Sequence, residues 1–194
     1  MFGKVVFRGQ HDKYERRDPE EWQSLPVCSV PPTRWPKLTN GGTTYSFADE
    51  RELVKDKMRG ALRICVHHGC HNIVIGDFGL GNSYRNPPQE LAELWREVLL
   101  YDPDLRGRIS CVAFVFEDPH QSTVQFILDD IAKKNRSGTG SKIKTKSSGS
   151  SSNPRMAGVP TDLDIFCQVF DEQEIQRYAA QRDARYGLDN LLSE

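Results

Sequence analysis

A glycine-rich segment, residues 76–86, holds the residues of this chain whose types and spacing best suit ligand binding. It follows a short apolar run at 73–75, which predicts a buried strand, and it leads into Asn-Pro-Pro at 86–88, which predicts the start of a helix. Glycines let the backbone approach a ligand closely, and a helix N-terminus offers unpaired N–H groups and a positive dipole end. The pattern is typical of a cradle for a phosphate or diphosphate. The alternative is a tight turn that only links a strand to a helix.

Known nucleotide-binding fingerprints do not decide between these two interpretations. Gly76, Gly79 and Gly81 do not fit the Gly-x-Gly-x-x-Gly dinucleotide pattern, and no Gly-Lys-Ser/Thr follows them. Asp77 lies at the end of the predicted strand, where the ligand sites of α/β folds gather. Its carboxylate either contacts the ribose of a ligand or caps the loop.

A histidine-rich stretch at 67–71, His-His-Gly-Cys-His, is the main candidate for metal binding. Adjacent helical residues point about 100° apart, so His67 and His68 do not readily face one ion. No second Cys/His pair stands at zinc spacing elsewhere, and histidines are favoured at a helix C-terminus by the helix dipole. We therefore expect no metal ligands and no metal or other cofactor.

Carboxylates are numerous, but the sequence assigns none of them to catalysis. Glu90, Glu93 and Glu97 fall on the polar face of a predicted helix, where we expect them to be solvated. The simplest role for Asp118 is that of a helix N-cap. No Ser/His/Asp or Cys/His arrangement can be assembled from local spacing.

Two helices that flank the glycine loop are well marked. The first has one apolar face and is expected to end near His68, because Gly69 suits a left-handed C-cap. The second is expected to be capped by Asn86, with Pro87 in its first turn and Gln89 completing the capping pattern. The apolar face of the first helix comprises Val54, Met58, Ala61, Leu62 and Cys65, and that of the second comprises Leu91, Leu94, Trp95, Val98 and Leu99.

The other predicted elements complete an α/β alternation. Strands are expected at 5–7, 27–30 and 109–116, with residues 9–24 irregular, and a third helix is expected to open at Asp118-Pro119. Helix, strand, helix, strand, helix is the order of an α/β domain with a mostly parallel sheet. Residues 134–158 are rich in Ser, Gly and Lys and are expected to form a flexible insertion. Helical periodicity resumes at Asp162, and a second apolar helical stripe comprises Ile175, Tyr178 and Ala179.

Composition limits the classes of function. The 194 residues are 37% hydrophobic and 27% charged, with a net charge of −1, so nucleic-acid or membrane binding has no electrostatic basis. No apolar run approaches the ~20 residues that span a bilayer, and the N-terminus does not resemble a signal peptide. Five scattered cysteines favour reduced, buried thiols and an intracellular location in cytoplasm or nucleus.

Three segments in order resemble the microbial-type poly(ADP-ribose) glycohydrolases, which are macrodomain-like proteins. They are an Arg-containing helix ending in His-His-Gly at 57–69, the Ile-Val-Ile-Gly-Asp-Phe-Gly-Leu-Gly loop at 73–81 that runs on to Asn-Pro-Pro at 86–88, and the Ile-Ser-Cys-Val-Ala-Phe-Val-Phe strand at 109–116. The resemblance covers roughly residues 4–133. It implies a macro-like three-layer α/β/α domain over residues 1–133, followed by the insertion at 134–158 and a C-terminal helical segment at 159–194 that packs on the domain.

The resemblance also implies a ligand and its contacts. Gly79, Leu80 and Gly81 would approach the diphosphate of ADP-ribose, free or attached to a protein, and Tyr84 would pack near its distal ribose. The complete set of implied ligand-binding residues is Gly76, Asp77, Phe78, Gly79, Leu80, Gly81, Asn82, Tyr84 and Asn86.

One family segment has no counterpart in this sequence. The family's Gly-Gly-Gly…Gln-Glu-Glu catalytic stretch precedes the matched region, and Gly41-Gly42 is not that motif. Cleavage of a glycosidic bond needs a positioned acid, so hydrolysis by this chain alone is expected to be very slow. The domain is expected to lack its N-terminal portion and to need a complementing partner or an oligomer. The alternative is a degenerate, non-enzymatic module that binds ADP-ribose or a nucleotide or serves as a scaffold.

Overall fold

The computed structural model describes residues 2–9, 13–138, 158–177 and 180. Its α-helices are α1 (Ala48–His67), α2 (Pro88–Tyr101), α3 (Thr123–Gly138) and α4 (Asp162–Val169). Its strands are β1 (Phe2–Val5), β2 (Phe7–Arg8), β3 (Glu15–Arg16), β4 (Gln23–Pro26), β5 (Leu38–Thr39), β6 (Thr44–Tyr45), β7 (Asn72–Ile75) and β8 (Cys111–Phe114). Short 3-10 turns occur at Pro19–Glu21 and Asn40–Gly42, and residues 172–177 are helical.

Strand pairing in the described part of the chain is local and mostly antiparallel. Strand β1 pairs with β4, β2 with β3, and β5 with β6, each in a two-stranded antiparallel sheet. The parallel pair is β7 with β8, in a register that sets Ile75 opposite Phe114. Because α2 connects β7 to β8, these elements form a β-α-β unit.

The alternation of helices and strands from α1 to α3 is confirmed, and the chain is of mixed α/β class. Helix α1 buries Val54, Met58 and Leu62 of the expected face together with Val66, which was not predicted, whereas the expected Ala61 and Cys65 are only partly buried. It ends as expected, with His68 at the C-cap and Gly69 in the left-handed region at φ 73°. Burying each of these aliphatic side chains stabilises the fold by roughly 1.5–3 kcal/mol.

Helices α1 and α2 are also joined by ion pairs, so the expectation that the α2 glutamates are solvated is wrong for two of them. Glu90 accepts a hydrogen bond from Arg51 Nε at 2.9 Å, and Glu97 accepts one from Lys55 Nζ at 2.6 Å. Burial alone would raise the pKa of Glu97, but the bond from Lys55 and the nearby Arg51 outweigh it and lower that pKa. Glu93 accepts a hydrogen bond from Gln89 of its own helix.

The aromatic core lies between the β-α-β unit and α4. Helix α4 packs against α2, and its Phe166 meets Phe114 of β8 and the following Phe116 at ring-centroid distances of 5.1 and 5.3 Å. Phe114 also meets Trp95 of α2 at 6.0 Å. The C-terminal helical segment therefore docks on this part of the domain, as far as residues 158–177 describe it.

One face of the β7–β8 pair remains open. Ile73, Ile75, Val112 and Phe114 face the core, whereas the opposite face is exposed, with Val74 at 72% and Val115 just beyond β8 at 51%. Parallel sheets are normally covered on both faces. In the described residues the helices cover one face of this pair, so the expected three-layer arrangement is not seen there.

Several expected boundaries are wrong. Residues 15–16 and 23–24 lie in strands although irregular chain was expected over residues 9–24, and residues 27–30, expected as a strand, are not one. Helix α3 begins at Thr123 rather than at Asp118, because Asp118 accepts the N–H groups of His120 and Gln121 in a turn before the helix.

The expected flexible insertion begins too early, since α3 continues to Gly138. The rest of that insertion, residues 139–157, lies outside the described residues, as do Tyr178 and Ala179 of the second C-terminal stripe.

The cysteines are free thiols, but the expectation that they are buried is wrong. Cys28, Cys111 and Cys167 are exposed, and Cys65 and Cys70 are partly exposed. Cys111 is exposed because it lies on the open face of the β7–β8 pair.

Candidate functional site

The glycine loop, residues 76–86, leaves β7 at its carboxyl end and leads into α2. Gly79 and Gly81 have φ of 77° and 76°, and Arg85 has a φ of 56° in the same left-handed region. A Cβ atom at Gly79 would lie 2.9 Å from Asn86 Nδ2, and one at Gly81 would lie 2.9 Å from Gln121 Oε1. Both positions therefore require glycine for their backbone conformation and for the space around them.

Asn86 lies at the centre of the loop's hydrogen bonds and is fully buried. Its Nδ2 donates to the carbonyl oxygens of Gly79 and Thr33, each at 2.8 Å, and its Oδ1 accepts the hydroxyl of Tyr45 at 2.9 Å. The expected capping role is wrong, because α2 begins at Pro88 with Pro87 as its N-cap and without a side-chain cap bond. The Asn86 amide instead closes the loop and ties it to residues 33–45.

Tyr45, at the end of β6, is a member of the site that sequence patterns did not identify. Its backbone N–H donates to Glu90 at 2.7 Å and its hydroxyl donates to Asn86, so the ring bridges the loop and the first turn of α2. Burial, and then the nearby Glu90, raise the pKa of the Tyr45 hydroxyl far above its usual value. The hydroxyl therefore remains a hydrogen-bond donor to Asn86.

The tip of the loop is held by residues 34–35. Trp35 N–H donates to the Tyr84 carbonyl at 2.8 Å, and Arg34 Nε donates to the Ser83 carbonyl at 3.1 Å. The Arg85 guanidinium stacks 4.1 Å from the centroid of the Trp35 ring. Trp35, like Arg85, has a left-handed φ, here 54°, and such positions persist only where surrounding contacts hold them.

The inner side of the loop is bonded to α3 and α4. The Gly81 N–H donates to Thr123 Oγ at 2.7 Å, and the Thr123 hydroxyl donates to Asp162 Oδ2 at 2.7 Å. Thr123 and Asp162 are fully buried. Neither residue was predicted, because they are 39 positions apart in the chain and no local pattern links them.

Besides those of Gly76 and Asp77, three backbone N–H groups of the loop have no acceptor in the part of the chain that the structure describes. They belong to Gly79, Asn82 and Ser83, and the last two residues are exposed. The other N–H groups from Phe78 to Asn86 are bonded within the loop or to Thr123. The exposed turn at 82–83 therefore offers two donors to a ligand.

Asp77 connects the ends of the two parallel strands, and its side chain accepts no N–H of its own loop among the described residues. Its Oδ2 accepts the N–H of Glu117, three residues after β8, at 3.2 Å. Its Oδ1 is buried and has no hydrogen-bond partner among the described residues. The charge of Asp77 also raises the pKa of Asp162, although burial is the largest cause of that rise.

The remaining predicted ligand residues differ in exposure. Leu80 is buried in the core, and the Phe78 ring packs 5.6 Å from the Trp95 ring, so these side chains support the loop. Gly76 is exposed beside them, and Tyr84 is half-buried with its carbonyl bonded to Trp35. The predicted set is thus brought together in one loop.

The histidine-rich end of α1 lies away from this loop. His67 lines a cavity of about 310 Å³ with Arg63, Asp104 and Arg108, beside the amino ends of the parallel strands. His67 and His68 are exposed, and His71 Nδ1 is 2.6 Å from the Arg108 carbonyl oxygen. Among the described residues, no group of three or more His, Cys, Asp or Glu side chains is arranged to hold a metal ion.

Comparisons with known proteins identify no relative. No family model matches the sequence, no curated protein matches it, and no solved structure matches the fold. Within the described residues, no helix has the length and apolar character needed to cross a membrane.

Proposed function

We propose that residues 76–86 bind the diphosphate of an ADP-ribose-class ligand, free or attached to a protein. The observation that carries this proposal is that the N–H groups of the exposed residues Asn82 and Ser83, in the loop that leaves the carboxyl end of β7, have no acceptor among the described residues. Backbone N–H groups in a fixed turn attract anions, and a buried framework holds this turn before any ligand arrives. The resemblance to the microbial-type poly(ADP-ribose) glycohydrolases suggests ADP-ribose in preference to other diphosphates.

The proposal concerns binding rather than turnover. The printed sequence has no Gly-Gly-Gly…Gln-Glu-Glu segment, and we assign no residue of this chain as the acid that would protonate a leaving group. A non-enzymatic ADP-ribose module fits the same observation. By the same resemblance, we propose that the fold is macro-like and that the open face of β7–β8 is covered by a complementing partner or another copy. The free thiols support an intracellular setting.

Titration calorimetry with ADP-ribose tests the proposal when two variants of one residue are compared. Asn82 is the first central residue of the turn that the Tyr84 N–H closes onto the Gly81 carbonyl at 3.3 Å, and this position accepts proline. Asn82→Ala removes the side chain and keeps the N–H, whereas Asn82→Pro removes both. Both variants lose the contact of Asn82 Oδ1 with Arg85, so their difference isolates the N–H.

We expect Asn82→Ala to bind nearly as well as wild type and Asn82→Pro to bind about 10- to 100-fold more weakly, because a hydrogen bond to a charged group contributes about 1.5–3 kcal/mol. Thermal melts establish that both variants fold. Absence of heat with millimolar ADP-ribose would refute binding. Equal affinities of the two variants would refute contact through this N–H and favour the interpretation of the loop as a simple turn.

A further inference from the structure

Three elements that are distant in sequence meet at one buried carboxylate. Asp162, the first residue of α4, accepts the N–H of Thr123 at 2.8 Å, the Thr123 hydroxyl at 2.7 Å and Gln121 Nε2 at 3.0 Å. Thr123 is the first residue of α3, and its hydroxyl oxygen accepts the N–H of Gly81. The glycine loop, the start of α3 and the start of α4 are therefore joined through hydrogen bonds.

The direction of these hydrogen bonds is determined by chemistry. A threonine hydroxyl has one proton, and an ionised carboxylate only accepts. Thr123 must therefore donate its proton to Asp162, which leaves a lone pair on its oxygen for the Gly81 N–H. The donors around Asp162 and the positive end of α3 compensate for part of the cost of burying its charge.

This arrangement orients the turn that carries the free N–H groups. With its N–H bonded to Thr123, Gly81 presents its carbonyl oxygen to the N–H groups of Tyr84 and Arg85, at 3.3 and 3.0 Å. Asn82 and Ser83 lie between these bonded residues. The Gly81 N–H belongs to the peptide group shared with Leu80, and the Gly81 carbonyl belongs to the next one, shared with Asn82. If Gly81 lost its inner acceptor, the backbone between these two peptide groups would be less restrained, and the turn that carries the two free donors could shift relative to α3.

We infer that Asp162, acting through Thr123, is a positioning residue that sets the orientation of the glycine loop for its ligand. Helix α4 thereby contributes to the site without contacting the ligand. The effect on affinity rests on the proposed function. The effect on the loop does not, since it can be measured without any ligand.

The experiment compares Thr123→Val, Thr123→Ser and Thr161→Ala by amide hydrogen exchange and by ADP-ribose titration. Thr123→Val keeps the shape of the side chain and removes the hydroxyl, whereas Thr123→Ser retains it. Thr161→Ala is the structural control, because it removes the N-cap bond of α4 to the Asp164 N–H at 3.1 Å and leaves the bonds of Asp162 intact.

In Thr123→Val we expect exchange of the Gly81 amide to accelerate by about tenfold or more, the scale set by losing one buried hydrogen bond, while the amide of Leu94 in α2 keeps its protection relative to global unfolding. ADP-ribose affinity should fall in Thr123→Val and recover in Thr123→Ser. Thr161→Ala should lower the melting temperature and leave both Gly81 exchange and affinity near wild type.

Two results would overturn the inference. One is unchanged Gly81 exchange in Thr123→Val. The other is a loss of affinity that simply follows the loss of stability, equally in Thr161→Ala. If the wild-type chain binds no ADP-ribose, the proposed function fails, and Gly81 exchange alone decides whether Asp162 and Thr123 hold the loop.

Discussion

The carbonyl oxygen of Gly79 accepts two hydrogen bonds from Asn86, one from the side-chain amide at 2.8 Å and one from the backbone N–H at 3.1 Å. These two hydrogen bonds from one residue close the loop onto itself. It also leaves no space for a side chain at Gly79, whose added Cβ would lie 2.9 Å from Asn86 Nδ2.

Replacement of Gly79 by alanine is therefore expected to cost more than backbone strain alone. Gly69 is a matched control, because its φ of 73° is nearly that of Gly79 and a Cβ there would meet open space. Both substitutions incur the left-handed strain of about 1–2 kcal/mol, and Gly79→Ala adds the displacement of Asn86. Urea denaturation measures the difference. Equal losses of stability would show that Asn86 moves aside at no cost.

Removal of the Tyr45 hydroxyl is expected to destabilise the protein by about 1–3 kcal/mol. Tyr45→Phe keeps the buried ring and leaves Asn86 Oδ1 without its donor, and an unsatisfied buried acceptor has a cost of this size. Tyr84→Phe, at a half-buried ring whose hydroxyl has no partner among the described residues, is the control and should change the free energy of unfolding much less. A Tyr45→Phe protein as stable as wild type would mean that another donor reaches Asn86.

The Arg59–Asp102 pair between α1 and α2 predicts a specific dependence of stability on pH. Arg59 Nε donates to Asp102 Oδ2 at 2.6 Å, and the Asp102 side chain is 4% exposed. Burial acts to raise the pKa of Asp102, but the hydrogen bond from Arg59 helps to hold that pKa below its usual value. A lowered carboxyl pKa contributes stability above the pKa of the unfolded chain, about 3.9, and this stability is lost as the pH falls through the folded value.

Arg59→Met should consequently destabilise the protein by about 2 kcal/mol at neutral pH and by less below pH about 3.9. Arg63→Met is the control, because Arg63 pairs with Asp104 and both side chains are about half exposed. Unfolding at several pH values gives the comparison. An effect of Arg59→Met that stays constant with pH would argue against a role for the Asp102 charge.

The raised pKa of Asp162 predicts a dependence of stability on pH that is opposite in sign to that of Asp102. Burial and then the charge of Asp77 raise the pKa of Asp162, so its protonated form favours folding below the unfolded pKa and that contribution is lost as the pH rises through the folded value. Asp77→Asn removes the repulsion and should lower the pKa of Asp162. Carboxyl-carbon NMR titration measures it directly. An unchanged midpoint would leave burial as the sole cause of the rise.

The open face of β7–β8 is expected to promote self-association. Val74 is 72% exposed on a parallel pair that has no third strand in the described residues. Val74→Lys should reduce association in analytical ultracentrifugation and change stability by no more than about 0.5 kcal/mol. Ile64→Lys, at a half-exposed apolar position on α1, is the control for adding a lysine to another element. Equal association of wild type and Val74→Lys would contradict the expectation.

Sequence patterns correctly predicted the features that depend on neighbouring residues in the chain. The apolar face of α1 and the glycine after it were enough to locate that helix and its end, because helical periodicity and a left-handed cap act within a few residues. Asn86 was misassigned for the opposite reason. Asn-Pro-Pro matches a helix start, but the side-chain amide of Asn86 forms hydrogen bonds with Thr33 and Tyr45, which lie 53 and 41 positions away in the chain.

The hydrogen bonds of Asp162 to Thr123 could likewise not be predicted from local sequence patterns. The capping box formed by Thr161 and Asp164 marks the start of α4 in sequence. Nothing in that pattern indicates that Asp162 faces inward and accepts hydrogen bonds from α3. Such contacts depend on how the helices pack, which single-sequence periodicity does not encode.

The framework of the glycine loop has a consequence for how the protein folds. Its hydrogen bonds join the loop to residues 33 and 45 on one side and 123 on the other, across separations of 41 to 53 positions, and residue 162 enters from 39 positions further on. Contacts so distant must wait for the closure of long segments of chain, whereas α1 and α2 form from their neighbours. The loop should therefore be among the last parts to acquire its native geometry, and chain emerging from the ribosome should hold both helices before it holds a binding site.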